Sequence, residues 1–231
     1  MSLCGYDSLV ESLIPGYTSL ARLSVSLLAA SPRARTFGAS VLVAGCGSGA
    51  ELLAASTLRP DWHLTALDPS QAMLALAQQK LQAQQLACGA IQPIQWRQGT
   101  VENLPPEPAF DGAMAVLVLQ GLADDGAKLH FLSSLSRSLH PGGQVVLVDQ
   151  MQPERNGIEQ QLIAAREVFQ RADAKGSGAD LQQEGAKETL GEVYPIGAAR
   201  MAGLLEAAGF SDPLPVFKAL DYEGFLVQKL A

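Results

Sequence analysis

The chain has 231 residues, enough for one large domain and too few for two comfortable ones. Hydrophobic residues make up 48% and charged residues 17%, a composition that supports a buried core and excludes disorder over most of the length. The formal net charge of −7, with no local Lys/Arg run, leaves no electrostatic footprint for a phosphate backbone and so excludes nucleic acid as a bulk partner.

The first element expected is a helical N-terminal lead over 7–30. Residues 40–44 form a β-branched run that closes on glycines and read as a buried strand, followed by a short helix over 50–58 that Pro60 and Asp61 break. A second strand is expected over 63–67. Asp68-Pro69-Ser70 then opens a helix to about Gln85, with Met73, Leu74, Ala77 and Leu81 along one face. Strands follow over 91–97 and over 110–119, the latter apolar enough to be buried on both faces. A helix over 128–139 is stopped by Pro141-Gly142-Gly143, and a fifth strand spans 144–149. Strands alternating with helices at this rhythm imply βαβ units, a parallel sheet and right-handed crossovers.

After Asp149 the rhythm changes. An amphipathic helix over 158–172 has no strand behind it. Its stripe of Ile158, Leu162, Ala165 and Phe169 reads first as packing against the sheet, with a cap over the site or a homodimer face as the other readings. A Gly/Ala/Gln-rich stretch over 173–191 reads as loop and weak helix. A helix over 196–208 and strands over 214–220 and 224–229 complete a single domain. Its sheet core spans 37–149 and 196–231, covered by the 7–30 lead and the 150–193 insertion. Cys4, Cys46 and Cys88 form no CxxC pair, which suits a reducing cytoplasm. The N-terminal residues show no signal-peptide pattern, and no apolar run has membrane-spanning length.

The strongest chemical signal is Gly45-Cys46-Gly47-Ser48-Gly49 between the first strand and its helix. Such a turn lets a ligand approach backbone that a side chain would otherwise shield, and aims helix amides at it. Asp68 ends the second strand, where an acid accepts both hydroxyls of a ribose; capping the next helix ahead of Pro69 is compatible with that role. Turn plus acid points to an adenosine-containing ligand. Gly45-x-Gly47-x-x-Ala50 also fits the dinucleotide fingerprint, so an NAD-dependent oxidoreductase is a rival reading.

Later segments separate the two. Gln98-Gly-Thr-Val-Glu-Asn-Leu-Pro105, Phe110-Asp-Gly-Ala-Met-Ala and Leu139-His-Pro-Gly-Gly-Gln-Val-Val-Leu-Val148 follow the glycine turn in order. The set resembles the class I S-adenosylmethionine-dependent methyltransferases. That resemblance implies an α/β, Rossmann-like fold: a seven-stranded, mostly parallel sheet with helices on both faces, here with a helical cap. It implies S-adenosylmethionine as cofactor. Gly45, Cys46 and Gly47, with Gly49 completing the turn, would face its methionine part, Asp68 its ribose, and Pro69, Thr100 and Val101 its adenine. Leu117 would line its methyl end.

Ile14-Pro-Gly-Tyr17, the Leu119-Gln120 pair and Leu205-Glu-Ala-Ala-Gly-Phe210 further resemble the carboxy-S-adenosylmethionine synthases, a branch in which the tyrosine packs at the cofactor. Tyr17 is therefore a lid candidate or an aromatic anchor for its helix. The sequence departs from the family at four places. Val43 stands where an acid steadies the methionine amino group, and Thr100 replaces an Asp that accepts from adenine. Leu204 and Val116 stand where the synthase branch has an Arg and an Asn. Without that arginine an extra carboxylate would be buried unpaired, which favours plain S-adenosylmethionine and in-line methyl transfer to a small-molecule acceptor. The alternatives are a synthase-like enzyme modifying the cofactor, or a non-catalytic Rossmann-like binding module. No catalytic residue and no metal site are assigned. His63, His130 and His140 read as structural or exposed, and Glu102 and Tyr194 as weak rim candidates.

Overall fold

The computed structural model describes residues 6–88, 92–153, 157–172 and 191–231. Most of the 173–191 stretch lies outside these residues, as do Cys4 and the first residue of the third expected strand, Ile91.

The strands are β1 (Ser40–Ala44), β2 (His63–Asp68), β3 (Gln95–Gln98), β4 (Phe110–Val116), β5 (Leu139–Gln150), β6 (Leu214–Ala219) and β7 (Tyr222–Gln228). They form one sheet in the order β3-β2-β1-β4-β5-β7-β6. The first five are parallel, and β7 inserts antiparallel between β5 and β6. Order reverses between β1 and β4, so a crevice opens beyond their carboxyl ends, the place where open α/β sheets bind ligands.

Helices α1 (Tyr6–Leu13), α2 (Tyr17–Ala30), α3 (Ala50–Leu58), α4 (Gln71–Cys88), α5 (Ala127–Ser138), α6 (Glu159–Ala172) and α7 (Ala198–Ala207) complete the described residues. Alternation along β1 explains the two-faced core. Val41 and Val43 pack with Leu20, Leu28, Leu52 and Ala77 from α2, α3 and α4; Leu42 and Ala44 pack with Leu132, Leu135, Met201 and Leu205 from α5 and α7. Both faces are dry, which is why so apolar a chain carries few charges.

Several boundaries differ from the sequence expectation for physical reasons. The N-terminal lead is two helices meeting at 91°, because Gly16 adopts a left-handed φ of 81° between them. Val10, Leu20, Val25 and Leu28 are fully buried in the core, and no single described helix is long and apolar enough to cross a membrane. The third strand is short and polar because it is an outer strand. The fourth stops at Val116, where Leu117 turns to φ 61° and a 3-10 turn (Leu119–Gly121) begins. The fifth starts before Pro141-Gly142-Gly143 rather than after it, since Gly142 N–H donates to Lys229 O at 3.0 Å. The α6 stripe does not pack on the sheet as its periodicity suggests. The helix lies against α1, leaving Ile163 and Val168 exposed. Gln170 Nε2 reaches Leu13 O at 3.5 Å, and Arg166 pairs with Asp221 in the β6–β7 turn.

Candidate active site

The crevice at the β1–β4 switch holds a cavity of about 380 Å³. Its floor is the glycine turn. Gly45 and Cys46 N–H both donate to Leu67 O, at 2.8 and 3.0 Å, which ties the end of β1 to the end of β2. At Gly45 (φ 69°) a Cβ would stand 2.5 Å from Val118 Cγ2, so only glycine lets the turn lie against the loop after β4. A Cβ at Gly47 would touch the Tyr6 hydroxyl at 3.9 Å, ordinary van der Waals contact.

Asp68 closes one side. Its Oδ2 accepts Gly47 N–H and its Oδ1 accepts Ser70 N–H, both at 2.8 Å, so one carboxylate fixes the turn and the approach to α4. The N-cap of α4 is Ser70 rather than Asp68, the Ser70 hydroxyl accepting Met73 N–H at 3.3 Å. Each carboxylate oxygen accepts more than one hydrogen bond, which leaves lone pairs for a ligand. On the other side α1 and α2 bring Tyr6 and Tyr17 into the lining. α1 is pinned over the turn by Asp7, which accepts from Ser48 Oγ at 2.5 Å and pairs with Lys80 of α4.

The loop after β4 makes the third wall with Val116, Leu117, Val118 and Gln120. Its shape is set from behind by Asp149, a fully buried acid at the end of β5 that accepts Gln120 N–H at 3.0 Å. Gln120 Oε1 accepts Gln150 N–H at 2.9 Å, and its carboxamide nitrogen has no partner among the described residues. Tyr194 N–H donates to Gln120 O at 2.6 Å, placing the 191–196 strap beside this wall.

The electrostatics are one-signed. Carboxylates Glu51 and Asp68 line the cavity, and no Lys, Arg or His does so among the described residues. Burial pushes Glu51 up to about 7, with Asp7 adding to the rise and its own backbone amide opposing it. The Cys46 thiol is pushed up to about 12 by burial and then by Asp68 and Glu51; the Tyr6 and Tyr17 phenols are raised by burial first and then by Glu51. All three stay protonated at neutral pH.

Of the residues singled out from sequence, Tyr17, Gly45, Cys46, Gly47, Asp68, Pro69 and Leu117 come together in this lining. Three do not. Gly49 (φ 90°) serves the helix pair, since a Cβ there would lie 2.9 Å from Ala77 Cβ of α4. Thr100 turns its hydroxyl to Asn103 Oδ1 at 3.1 Å, closing a capping box, and Val101 is buried with Leu67 in the α5 and α7 side of the core. Val43 is also core. Glu102 lies on the same 3-10 turn (Val101–Asn103) as Val101 and outside the lining. Sequence reasoning missed Tyr6, Glu51 and Met73. Glu51 carried a readable signal, an acid in the first turn of the helix that leaves the glycine turn. Tyr6 carried none, because only the tertiary fold of α1 brings it here.

The residues fit an S-adenosyl cofactor: a glycine turn lining the cavity, an acid for ribose, and an acidic lining for a cation. Residues 41–143 match a family model described as a methyltransferase domain. A carboxy-S-adenosyl-L-methionine synthase from Campylobacter hominis is 23% identical over 97% of this chain and 90% of its own length. A demethylmenaquinone methyltransferase from Listeria monocytogenes is 29% identical over 75% of this chain and 70% of its own. The solved structure of human N-acetylserotonin methyltransferase in complex with SAM superposes with a TM-score of 0.59 at 19% identity, covering 99% of this chain and 59% of that one. The domain match over residues 41–143, the relatives aligned over most of the chain and the shared seven-stranded fold make this chain similar to the class I S-adenosylmethionine-dependent methyltransferases.

Proposed function

We propose that the cavity binds S-adenosylmethionine and that the chain moves the cofactor's methyl group to a small-molecule acceptor. The observation that carries this reading is the one-signed lining, Glu51 and Asp68 without a cation among the described residues. S-adenosylmethionine bears a sulfonium and an ammonium, which such a lining attracts. The pyrophosphate of NAD and the extra carboxylate of a carboxylated cofactor both add negative charge, which it repels. The cation on α7, Arg200, does not offset this: both its contacts go to the Asp124 carboxylate, at 2.9 and 3.0 Å, on the surface.

When bound, S-adenosylmethionine supplies a methyl carbon already activated by the sulfonium, so transfer is an in-line displacement by the acceptor's nucleophilic atom. The chain's own work is positioning. Asp68 takes the ribose hydroxyls with the lone pairs left by Gly47 and Ser70. Pro69 and Met73 flank the adenine, and Gly45–Gly47 hold the methionine part. Thr100 and Val101 stay out of this assignment, being committed to Asn103 and to the core. Tyr17, Leu117 and Gln120 surround the methyl end, and α1 with α6 behind it excludes water. Cys46, Tyr6 and Tyr17, held protonated by burial, do not serve as bases at neutral pH.

A cavity of about 380 Å³ is of the size of small-molecule sites. The −7 net charge supports the same choice over nucleic acid. The buried free thiol of Cys46 supports a reducing, cytoplasmic setting. The exposed Ile163 and Val168 of α6 are the face on which a homodimer would form. Mass spectrometry of ligand carried through native purification tests the cofactor: S-adenosylmethionine or S-adenosylhomocysteine is expected. Recovery of a carboxylated cofactor or of NAD would replace the reading with the corresponding rival.

A further inference from the structure

The resembling family carries at the position of Val43 an acid that steadies the methionine amino group. Here Val43 is 2% exposed, packed in the core between Ala66 of β2 and Met114 of β4, and lines no part of the cavity. The cavity nevertheless has a second acid. Glu51 is the second residue of α3, which leaves directly from the glycine turn, and side chains on a helix lean toward its N-terminus. The fold thus returns the Glu51 carboxylate to the turn that precedes it, where it lines the cavity with Tyr6, Tyr17 and Cys46.

Its surroundings leave it unneutralised. Glu51 is 6% exposed, and no described Lys, Arg or His forms an ion pair with it. Lys80 of the neighbouring α4 is held by Asp7. The group that offsets its burial is its own backbone amide at the helix N-terminus. Asp68, the other carboxylate in the lining, already holds Gly47 and Ser70 and is spoken for by the ribose. A buried carboxylate without a counter-ion destabilises the fold, and a leucine or glutamine at this helix position would not. The arrangement makes physical sense when a cation arrives from outside.

We propose that Glu51 is the counter-ion of the cofactor's α-ammonium, supplying from the start of α3 the negative charge that the family places at the end of β1 and that Val43 cannot provide. The proposal rests on the S-adenosylmethionine reading above and goes beyond it by naming a binding residue outside the family's pattern. It predicts a ligand-specific loss. In calorimetric titrations Glu51→Gln, nearly isosteric and uncharged, weakens S-adenosylhomocysteine by about 10- to 100-fold, the range of a charge-assisted hydrogen bond. The same variant leaves 5′-methylthioadenosine, which lacks the amino-acid moiety, bound as tightly as by the wild type. Equal losses for both ligands, or no loss for S-adenosylhomocysteine, would overturn the assignment. A measurement on the wild-type protein avoids any question of the variant's folding: S-adenosylhomocysteine should bind about 10- to 100-fold more tightly than its deamino analogue. Equal affinity for the two would overturn it as well. If wild-type protein binds none of these ligands, the cofactor reading itself fails, an outcome distinct from a failure at Glu51.

Discussion

The amino and carboxyl ends of the central strands treat charge in opposite ways. At the amino ends charges are matched. Arg59 forks onto both oxygens of Asp61 at 2.7 and 2.8 Å, lies 4.9 Å above the Trp62 ring, and donates to Ala34 O and Thr36 O. Asp61 also accepts Gly38 N–H, and Arg33 pairs with Asp111, whose other oxygen accepts Ser40 N–H. At the carboxyl ends, Glu51 has no cationic partner and Asp149 has one buried oxygen without a hydrogen bond. Lys128, the cation beside Asp149, spends its ammonium on Leu119 O. Ion pairs stand at this end too, Asp7 with Lys80 and Asp221 with Arg166, so the difference lies in two buried acids without a salt bridge among the described residues, Glu51 and Asp149.

The largest effect expected from breaking this pattern is at Asp68. Asp68→Ala removes the acceptor for ribose and the anchor for Gly47 N–H together, and calorimetry should show S-adenosylhomocysteine affinity falling on the order of 100- to 1,000-fold. Arg59→Ala, at the other end, should do the reverse. It takes the cation from Asp61 and a donor from Arg35 O and Thr36 O, while Ala34 O keeps its bond from Trp62 Nε1, and costs about 2–3 kcal/mol in urea unfolding, with ligand affinity unchanged.

The two ends also predict opposite pH dependences. Asp61 is held down at about 2, by its hydrogen bond from Arg59 first, from an ordinary value of 3.8. Its contribution is present above about 3.8 and is lost as pH falls toward 2. Glu51 and Asp149 are both pushed up to about 7 by burial, from 4.5 and 3.8. The folded state therefore binds more protons than the unfolded one between those values, and stability falls as pH rises toward about 7, then levels. The ligand-free protein should be most stable in mild acid, near the ordinary carboxylate range. Glu51→Gln should raise stability at pH 8 by about 2 kcal/mol and flatten part of that fall, while costing cofactor affinity. Loss of stability at pH 8 in that variant would place Glu51 among the matched charges instead. The smallest effect is expected at Gly49→Ala, where a left-handed φ and the close Ala77 should cost about 1–2 kcal/mol of stability with little change in binding.

How far the sequence could be read follows the same division. The glycine turn and Asp68 are local: each stands at the end of a strand whose apolar run is visible, so their meeting at the switch point follows from the βαβ rhythm. Tyr6, Met73 and Gln120 reach the cavity only through packing, on α1, α4 and the turn after β4, and no spacing announces them. The segment around Thr100 matches the family's order along the chain, yet local chemistry redirects it, with Asn103 capturing the hydroxyl and Val101 filling the core. The α6 stripe has helical periodicity, which reports an apolar face and does not name the surface that meets it.

The central claim is that the carboxyl-end cavity is built for a cation. Titrating the wild-type protein with S-adenosylmethionine and with NAD in one buffer at pH 8, above the value of about 7 to which burial pushes Glu51, tests it most directly. S-adenosylmethionine should bind, more weakly as salt is raised, and NAD should give no heat of binding. Binding of NAD, or silence toward S-adenosylmethionine at millimolar concentration, would contradict it.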